Sequence, residues 1–441
     1  MFFKNVFLIF ILVSKSLTSD LYCNKESISP VADPTTLPKL PAEFQTRVQA
    51  TFNSERTVEF FLVFDYYDQK AEIITQEEIE HDRRVFYYDK NEYFTISNYR
   101  KCQVKKINES FDEFNFFGLV YGPDGAINMK PVNDLLHFNN EFPHMYVGQE
   151  VYRGIPVKHY RSCQDWIEFN ANFLIDFYFS VSEFEQSVGF PDINAQVPVA
   201  SVIKGSLTRA GRSVLIENTY EFFEFRPFVE RKSDLYVQPS GVFCHNQTFK
   251  GEMPPIPRSF SFTEEILIND KKMAKSNKVY YSYDLKAIRY DTLATKNYRE
   301  NAPLKIIHDF NSGVGFVIDE FIGNCSIISL NNDQDSISLA NSAGLALTMK
   351  DPNQFFFIDD TYFYAGQRLE RGIICDVFVS KRTDFKGMID KQPEYWVFEI
   401  YFMAIGQVME SSESEHPVAP IAIKITSSDS CLKVPKKSPK N

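Results

Sequence analysis

The sequence is short of positive charge: 47 Lys and Arg stand against 58 Asp and Glu in 441 residues, a formal net charge of -11. A chain without a basic excess lacks the electrostatic footprint that a phosphate backbone requires, so no nucleic acid partner is expected. Long apolar runs are missing too. The run near the start, Val6 to Val13, is eight residues long, whereas a membrane-spanning helix needs about 20. No two of the seven cysteines have Cys-x-x-Cys spacing, which excludes a zinc knuckle or a thioredoxin-like site. His-Glu-x-x-His, the Gly-x-Ser-x-Gly elbow and a glycine-rich phosphate loop are all absent, and the seven histidines are scattered. The sequence therefore points to no catalytic residue, no metal ligand and no cofactor, and a non-enzymatic protein is expected.

What is present is aromatic: 42 Phe and 23 Tyr against 2 Trp. Flat, bulky side chains suit a pleated, half-buried surface, so a mainly β protein with few short helices is expected. Lys4, the apolar run after it, and the small polar residues Ser14, Ser16 and Ser19 form a signal-peptide pattern over residues 1–19. No later stretch approaches spanning length, so a secreted, extracellular protein is expected. That compartment permits disulfides and glycans. Asn108, Asn246 and Asn324 each head an Asn-x-Ser/Thr acceptor for N-glycosylation. Cys244 and His245 are adjacent, but neighbours on a strand point to opposite faces. A half-cystine beside an exposed histidine is the simpler reading. The acidic stretches, Glu77, Glu78, Glu80 and Asp82, and Asn331 to Asp335, read as solvated turns, since the second lacks the glycine and closing glutamate of a calcium loop.

The chain also repeats itself. Pro38-Lys39-Leu40-Pro41-Ala42-Glu43-Phe44 is matched by Pro254-Pro255-Ile256-Pro257-Arg258-Ser259-Phe260, and Tyr67-Asp68-Gln69-Lys70-Ala71 by Tyr283-Asp284-Leu285-Lys286-Ala287. Tyr88-Asp89, Phe94 and Cys102 answer His308-Asp309, Phe316 and Cys325 in the same order. The block Gly148-Gln149 to Arg153-Gly154-Ile155 returns as Gly366-Gln367 to Arg371-Gly372-Ile373. Leu174 to Phe179 answers Val397 to Phe402, and Pro198-Val199-Ala200 with Ile203-Lys204 answers Pro417-Val418-Ala419 with Ile423-Lys424. Ordered matches at a nearly constant offset indicate a duplicated unit. The expected organisation is a signal peptide at 1–19, a first domain at 20–245, a second at 252–426 and a basic tail at 427–441. The first copy runs on through Arg212 to Phe225, and the second lacks that strand-like run, so it is expected to miss an edge strand. Shared polar positions such as Asp68/Asp284, Lys70/Lys286, Asp89/Asp309, Gln149/Gln367 and Arg153/Arg371 sit beside Gly, Pro or Tyr, as turn and strand-end residues do.

Each copy has one stretch with helical leanings, Pro131 to Phe138 and Ser338 to Lys350. In the first, Val132, Leu135 and Leu136 share a face at helical spacing behind a helix-starting proline. The repeat also suggests bridges common to both copies, Cys102 to Cys163 and Cys325 to Cys375. Cys23, Cys244 and Cys431 are left unassigned.

The proline entries, the Tyr-Asp-x-x-Ala turns, the Gly-x-x-x-x-Arg-Gly-Ile blocks, Arg161-Ser162-Cys163 with Trp166, and Ser240 to Cys244 together resemble a known group. These are the secreted or membrane-anchored animal proteins with tandem domains like the bacterial lipoprotein-localisation factor LolA. The resemblance implies two tandem curved antiparallel sheets, each an incomplete barrel partly covered by a short helix, with a concave apolar face that can hold acyl chains. Phe60, Leu62 and Phe64 alternate on one predicted strand and are candidates to line such a cavity in the first domain. A concave face can equally be filled by its own Phe and Tyr. The leading expectation is a carrier of a lipid or other hydrophobic ligand; the alternative is an extracellular protein-protein interaction module with a filled core. A hydrolase with an unrecognised site ranks third.

Overall fold

The computed structural model describes residues 22–428 apart from 33–36, 77–80, 99–100, 109–119, 123–125, 140, 167–169, 183, 185–195, 210–211, 231–234, 269–271, 294–301, 331–334, 342–343, 386–391 and 405–419. The expected signal peptide, Glu77, Glu78, Glu80, Pro417 to Ala419, Cys431 and the lysines of the tail lie outside the described residues. The protein is mainly β and divides into two compact units, one within Met1–Gln247 and one within Thr248–Ser430.

In the first unit β1 (Glu43–Phe52), β2 (Arg56–Asp65), β3 (Lys70–Gln76), β4 (His81–Tyr87), β5 (Glu92–Ser97) and β6 (Lys101–Lys106) form an antiparallel meander. The small hairpin β7 (Val120–Tyr121) and β8 (Ile127–Asn128) leads into helix α1 (Val132–Leu135). A second meander follows: β9 (His144–Tyr152), β10 (Ile155–Trp166), β11 (Ala171–Ser180), β12 (Pro198–Arg209) and β13 (Arg212–Arg226), with β14 (Cys244–His245) last. Strand β13 pairs with β12 on one side and β1 on the other, joining both meanders into one sheet in the order β14-β6-β5-β4-β3-β2-β1-β13-β12-β11-β10-β9. The sheet stays open at its ends, as an incomplete barrel does.

The second unit repeats this order with β15 (Ser259–Ile268), β16 (Met273–Ser282), β17 (Ala287–Leu293), β18 (Pro303–Asp309), β19 (Val314–Asp319) and β20 (Asn324–Ser329). The hairpin β21 (Ser336–Asn341) and β22 (Gly344–Met349), helix α2 (Pro352–Phe355), and β23 (Phe363–Glu370), β24 (Ile373–Arg382), β25 (Trp396–Met403) and β26 (Ala422–Ser427) complete it. Among the described residues no strand corresponds to β13, so the unit holds separate sheets of six and four strands. In the first unit β13 is thus not an edge strand, as its place at the end of the repeat suggests, but the central strand that joins the two halves.

Turn chemistry explains the repeated blocks. Arg153 and Gly154 have φ of 50° and 80°, and Arg371 and Gly372 have 51° and 83°. Positive φ at both central residues is the type I′ geometry whose twist matches a two-residue hairpin, and glycine adopts it without strain.

Two expectations need correction. Ser338 to Lys350 is not helical: it forms the β21–β22 hairpin, with Ile337 opposite Thr348 and Leu339 opposite Ala346. The helix begins after Asp351, whose side chain accepts from the Gln354 amide at 3.0 Å while Gln354 reaches back to the Asp351 amide at 3.2 Å. This capping box with Pro352 in the first turn sets the start.

The disulfides are also different. Cys102 is joined to Cys244 and Cys163 to Cys23, while Cys325 and Cys375 are free, the first exposed and the second buried. The bridges do not follow the repeat because each fastens a segment outside the matched blocks, the N-terminal stretch with Cys23 or β14 with Cys244. Strand β14 lies parallel to β6 with Cys244 opposite Cys102. The N-terminal segment is held to β10 and β11, where the Cys23 amide donates to Asn172 Oδ1 at 2.8 Å. Cys244 is buried and His245 exposed, as alternation requires.

Candidate functional site

The inner face of the first unit is where the lining candidates lie. Antiparallel register sets Phe64, Leu62 and Phe60 of β2 opposite Phe44, Thr46 and Val48 of β1, so the three candidates do share one face. They are 0%, 2% and 6% exposed and belong to a single packed cluster. Phe44 stacks on Phe64 at 5.3 Å and on Phe225 of β13 at 5.2 Å. Val132 and Leu135 from α1 and Leu136 just after it, with Met129 and Tyr88, belong to or pack against the same cluster. Gln69 holds this cover down: its Oε1 accepts from the Met129 amide at 2.8 Å, from a turn where Gln69 itself has φ of 52°. Further along, Phe138 packs on Phe177 and Phe179 at 5.0 and 4.9 Å. The candidates thus pack into this unit's own buried cluster, with Phe52, Ile73, Tyr220 and Phe222 partly buried at its margin.

The second unit is less complete. At the positions of Phe44, Thr46, Val48, Ala50 and Phe52 it carries Phe260, Phe262, Glu264, Ile266 and Ile268, all only half-buried. Phe260 stacks flat on Tyr281 at 4.5 Å, and Phe355 and Phe356 from α2 cover that end. Beyond it, Asn277 Nδ2 donates to Glu264 Oε1 at 2.7 Å, and Thr292 Oγ1 donates to Asn277 Oδ1 at 2.6 Å. Past this polar ladder Ile266, Ile268 and Met273 lie outside the described clusters of the core, with Lys275 exposed among them. The contrast is sharpest at two sites: Val48 and Ala50 are 2% and 0% exposed, and their counterparts Glu264 and Ile266 are not closed over.

The titratable clusters are built as supports. His159 donates or accepts at both ring nitrogens, to Asp176 through Nε2 and to Glu150 through Nδ1, each at 2.7 Å. Arg161 Nε donates to the same Asp176 at 2.7 Å. Burial alone raises a carboxyl pKa, but the hydrogen bonds from His159 and Arg161 outweigh it and hold Asp176 below the usual range. Both His159 nitrogens are taken by carboxylates, and its ring stacks on Tyr178 at 4.6 Å. In the second unit Arg368 stands where Glu150 does and Glu399 where Asp176 does, paired at 2.6 Å, while Val377 and Val379 replace His159 and Arg161. The charges are exchanged between strands and the pairing is kept. Asp335 and Asp82, both expected in solvated stretches, are instead buried: Asp82 lies on β4, and Asp335 accepts from His308 Nδ1 of β18 at 2.6 Å and from Tyr290 of β17 at 3.1 Å. Burial pushes the free Cys375 thiol up to about 11, leaving no thiolate at neutral pH. Among the described residues no group of three His, Cys, Asp or Glu could hold a metal ion, and no helix is long and apolar enough to cross a membrane.

Of the shared polar residues, Gln149 and Gln367 lie within β9 and β23, where Gln367 Nε2 donates to Asp376 Oδ1 at 3.1 Å, and others act at turns. Arg153 Nη2 donates to the carbonyls of Val199 at 3.2 Å and Phe222 at 3.1 Å, tying the β9–β10 turn to β12 and β13. Asp309 accepts from the Asn311 amide and the Ser312 hydroxyl in the β18–β19 turn. Sequence reasoning missed the His159 and Arg368 clusters, whose members are joined only by strand register.

Several solved structures are similar to this chain at low identity. An uncharacterised conserved protein from Thermus thermophilus is 9% identical, with 47% of this chain and 92% of that chain covered and a TM-score of 0.26. The Pseudomonas aeruginosa MucA/MucB complex is 9% identical over 69% of this chain and 86% of that chain, with a TM-score of 0.24. MucB in complex with MucA(peri) gives 9%, 69%, 85% and 0.23. None of the curated proteins matches. The family model described as the metazoan 2nd LolA-like domain matches residues 19–236 and again residues 239–435. Two successive matches of this extent, on two units with the same strand order, place the chain in the metazoan LolA-like domain family, with the domain present twice.

Proposed function

We propose that this is an exported, non-enzymatic glycoprotein that binds a lipid or another hydrophobic ligand, and that the second unit is the half that takes it. The observation that carries this reading is the half-exposed apolar strip of Ile266, Ile268 and Met273 on an inner face whose counterpart in the first unit is filled. An acyl chain laid on that strip would remove apolar surface from water at about 25 cal/mol per Å², beside the exposed ammonium of Lys275. Export is supported by the pattern over residues 1–19, by two disulfides, and by the exposure of Asn108, Asn246 and Asn324 at their glycan acceptors.

The test is direct. Full-length protein secreted from animal cells is expected to carry extractable lipid and, once delipidated, to take up a fluorescent fatty acid saturably. Ile266→Asp is expected to weaken uptake at least tenfold without moving the melting profile of the first unit. Neither bound lipid nor saturable uptake, or uptake indifferent to Ile266→Asp, would sink the proposal. A second reading, an extracellular interaction module, draws on a different observation: β20 is exposed at all six positions, with Ile327 69% exposed.

A further inference from the structure

We infer that the second unit accepts an extended segment of a partner polypeptide as an added strand between β15 and β26, in the place that β13 fills in the first unit. Both flanking strands end their sheets among the described residues. The direction of their backbone groups follows from the ladder. The Tyr283 amide donates to the Arg258 carbonyl, just before β15 begins. Alternation from that pair sets Phe260, Phe262, Glu264, Ile266 and Ile268 to bond with β16 and turns the N–H and C=O of Ser259, Ser261, Thr263, Glu265 and Leu267 away from it. The first unit confirms the phase, since Asn53, in the matching series, donates its amide to Glu217 of β13. On β26, the Ser428 amide bonded to Tyr395 places the backbone groups of Ile423 and Ile425 on the free side.

The chemistry of the gap defines the occupant. Rows of outward amides and carbonyls call for another polypeptide in extended form. Side chains on either side of the gap remain open on the inner face: Ile266 on β15, and Ile423 and Ile425, 36% and 40% exposed, on β26. In the first unit the inward residues of β13, Tyr220 and Phe222, lie over Ala50 and Val48 and help close that face. The added segment is therefore one with large apolar side chains at alternate positions and no proline.

It needs no particular charge. Arg153 and Lys204 in the first unit pair with Glu221 and Glu217 of β13, at 3.4 and 2.7 Å. Their counterparts Arg371 and Lys424 pair instead with Glu265 at 3.8 Å and Glu370 at 2.6 Å, so the gap is balanced without a strand of its own. A second copy of this chain is disfavoured as the occupant. Two β15 edges paired antiparallel with their middles in register would set Glu264 or Glu265 against its own copy, and like charges across a ladder repel.

The probe is a fluorescent, end-blocked peptide with the sequence of residues 212–226, titrated into full-length protein. Saturable binding is expected, with slowed amide exchange at Ser261, Thr263 and Glu265. Thr263→Pro removes an outward amide without taking a bond from β15–β16, and is expected to weaken binding at least tenfold. Ile327→Pro, which acts on the other edge of the six-stranded sheet, is expected to leave it unchanged. A peptide N-methylated at alternate residues is expected not to bind, and this control does not depend on any variant folding. Absence of saturable binding, loss on Ile327→Pro but not on Thr263→Pro, or full binding by the N-methylated peptide would each overturn the inference. Fatty-acid uptake is measured on the same samples, so failure of one proposal is separable from failure of the other.

Discussion

At the scale of single residues, two buried histidines couple the stability of the first unit to pH. His137 lies on the Trp166 ring at 4.0 Å and His144 on Phe138 at 4.6 Å. Burial pulls both down to about 4, with Lys130 adding to the effect at His137 and the Asn139 carbonyl opposing it at His144. In the unfolded chain each takes its proton near 6.5. Between those values the native state binds fewer protons than the unfolded state, so their contribution is complete above pH 6.5 and is lost as pH falls towards 4. The slope is up to about 1.4 kcal/mol per pH unit for each histidine. Asp176, also held low, adds a loss only further into acid, below its unfolded value near 4. Calorimetry from pH 7 to 4 is expected to show the first unit melting progressively earlier, with the slope reduced by joint His137→Gln and His144→Gln. A profile as flat as that double variant's would contradict the assignment. Neither histidine stands out in the sequence, because burial is set by Trp166 and Phe138, which approach through the fold.

At the scale of elements, period and punctuation decide the outcome. The alternation of Phe44, Val48, Ala50 and Phe52 does mark a strand, and Val132 and Leu135 of α1 with Leu136 just after it do cover its face. The stretch after Ser338 misleads because alanine and leucine favour helix in isolation, yet Ile337, Leu339, Leu345, Leu347 and Met349 recur every second residue on the two paired strands β21 and β22. The true helix signal, Asp351-Pro352 followed by Gln354, is short but explicit. Asp351→Ala removes the cap and is expected to cost the second unit about 1 kcal/mol, as caps generally do. Because Phe355 and Phe356 cover Phe260, the same variant is expected to raise binding of an apolar dye. A dye signal and melting temperature equal to the parent's would show that the cap does not hold this cover.

At the scale of the whole molecule, the two bridges make the first unit different in kind from the second. Each closes a long loop, with sequence separations of 140 and 142. Loops of that length limit the unfolded chain by an amount on the order of 5 kcal/mol, less any cost in the native state. Joint Cys102→Ala and Cys244→Ala is expected to lower the melting transition of the first unit by several degrees or abolish it, and to release β14 from β6. The transition of the second unit is expected to stay in place. Movement of both transitions together would mean that the units do not unfold separately.

What the sequence determines by itself is local or periodic: strand alternation, the Arg-Gly turns, the proline entries and the order of a duplicated unit. These survive inspection because each depends on neighbours within a few residues. The bridges, and the packing of Phe44, Phe60, Leu62 and Phe64 into one cluster, were decided only by tertiary structure. Cys102 meets Cys244, and Phe44 meets Phe225, across most of the first unit, and no spacing rule encodes such a meeting. The place of β13 follows from the same cause: a strand that is last in the order of the repeat is central in the sheet of the first unit, since the sheet closes its order through pairing between β1 and β13 and not through succession along the chain.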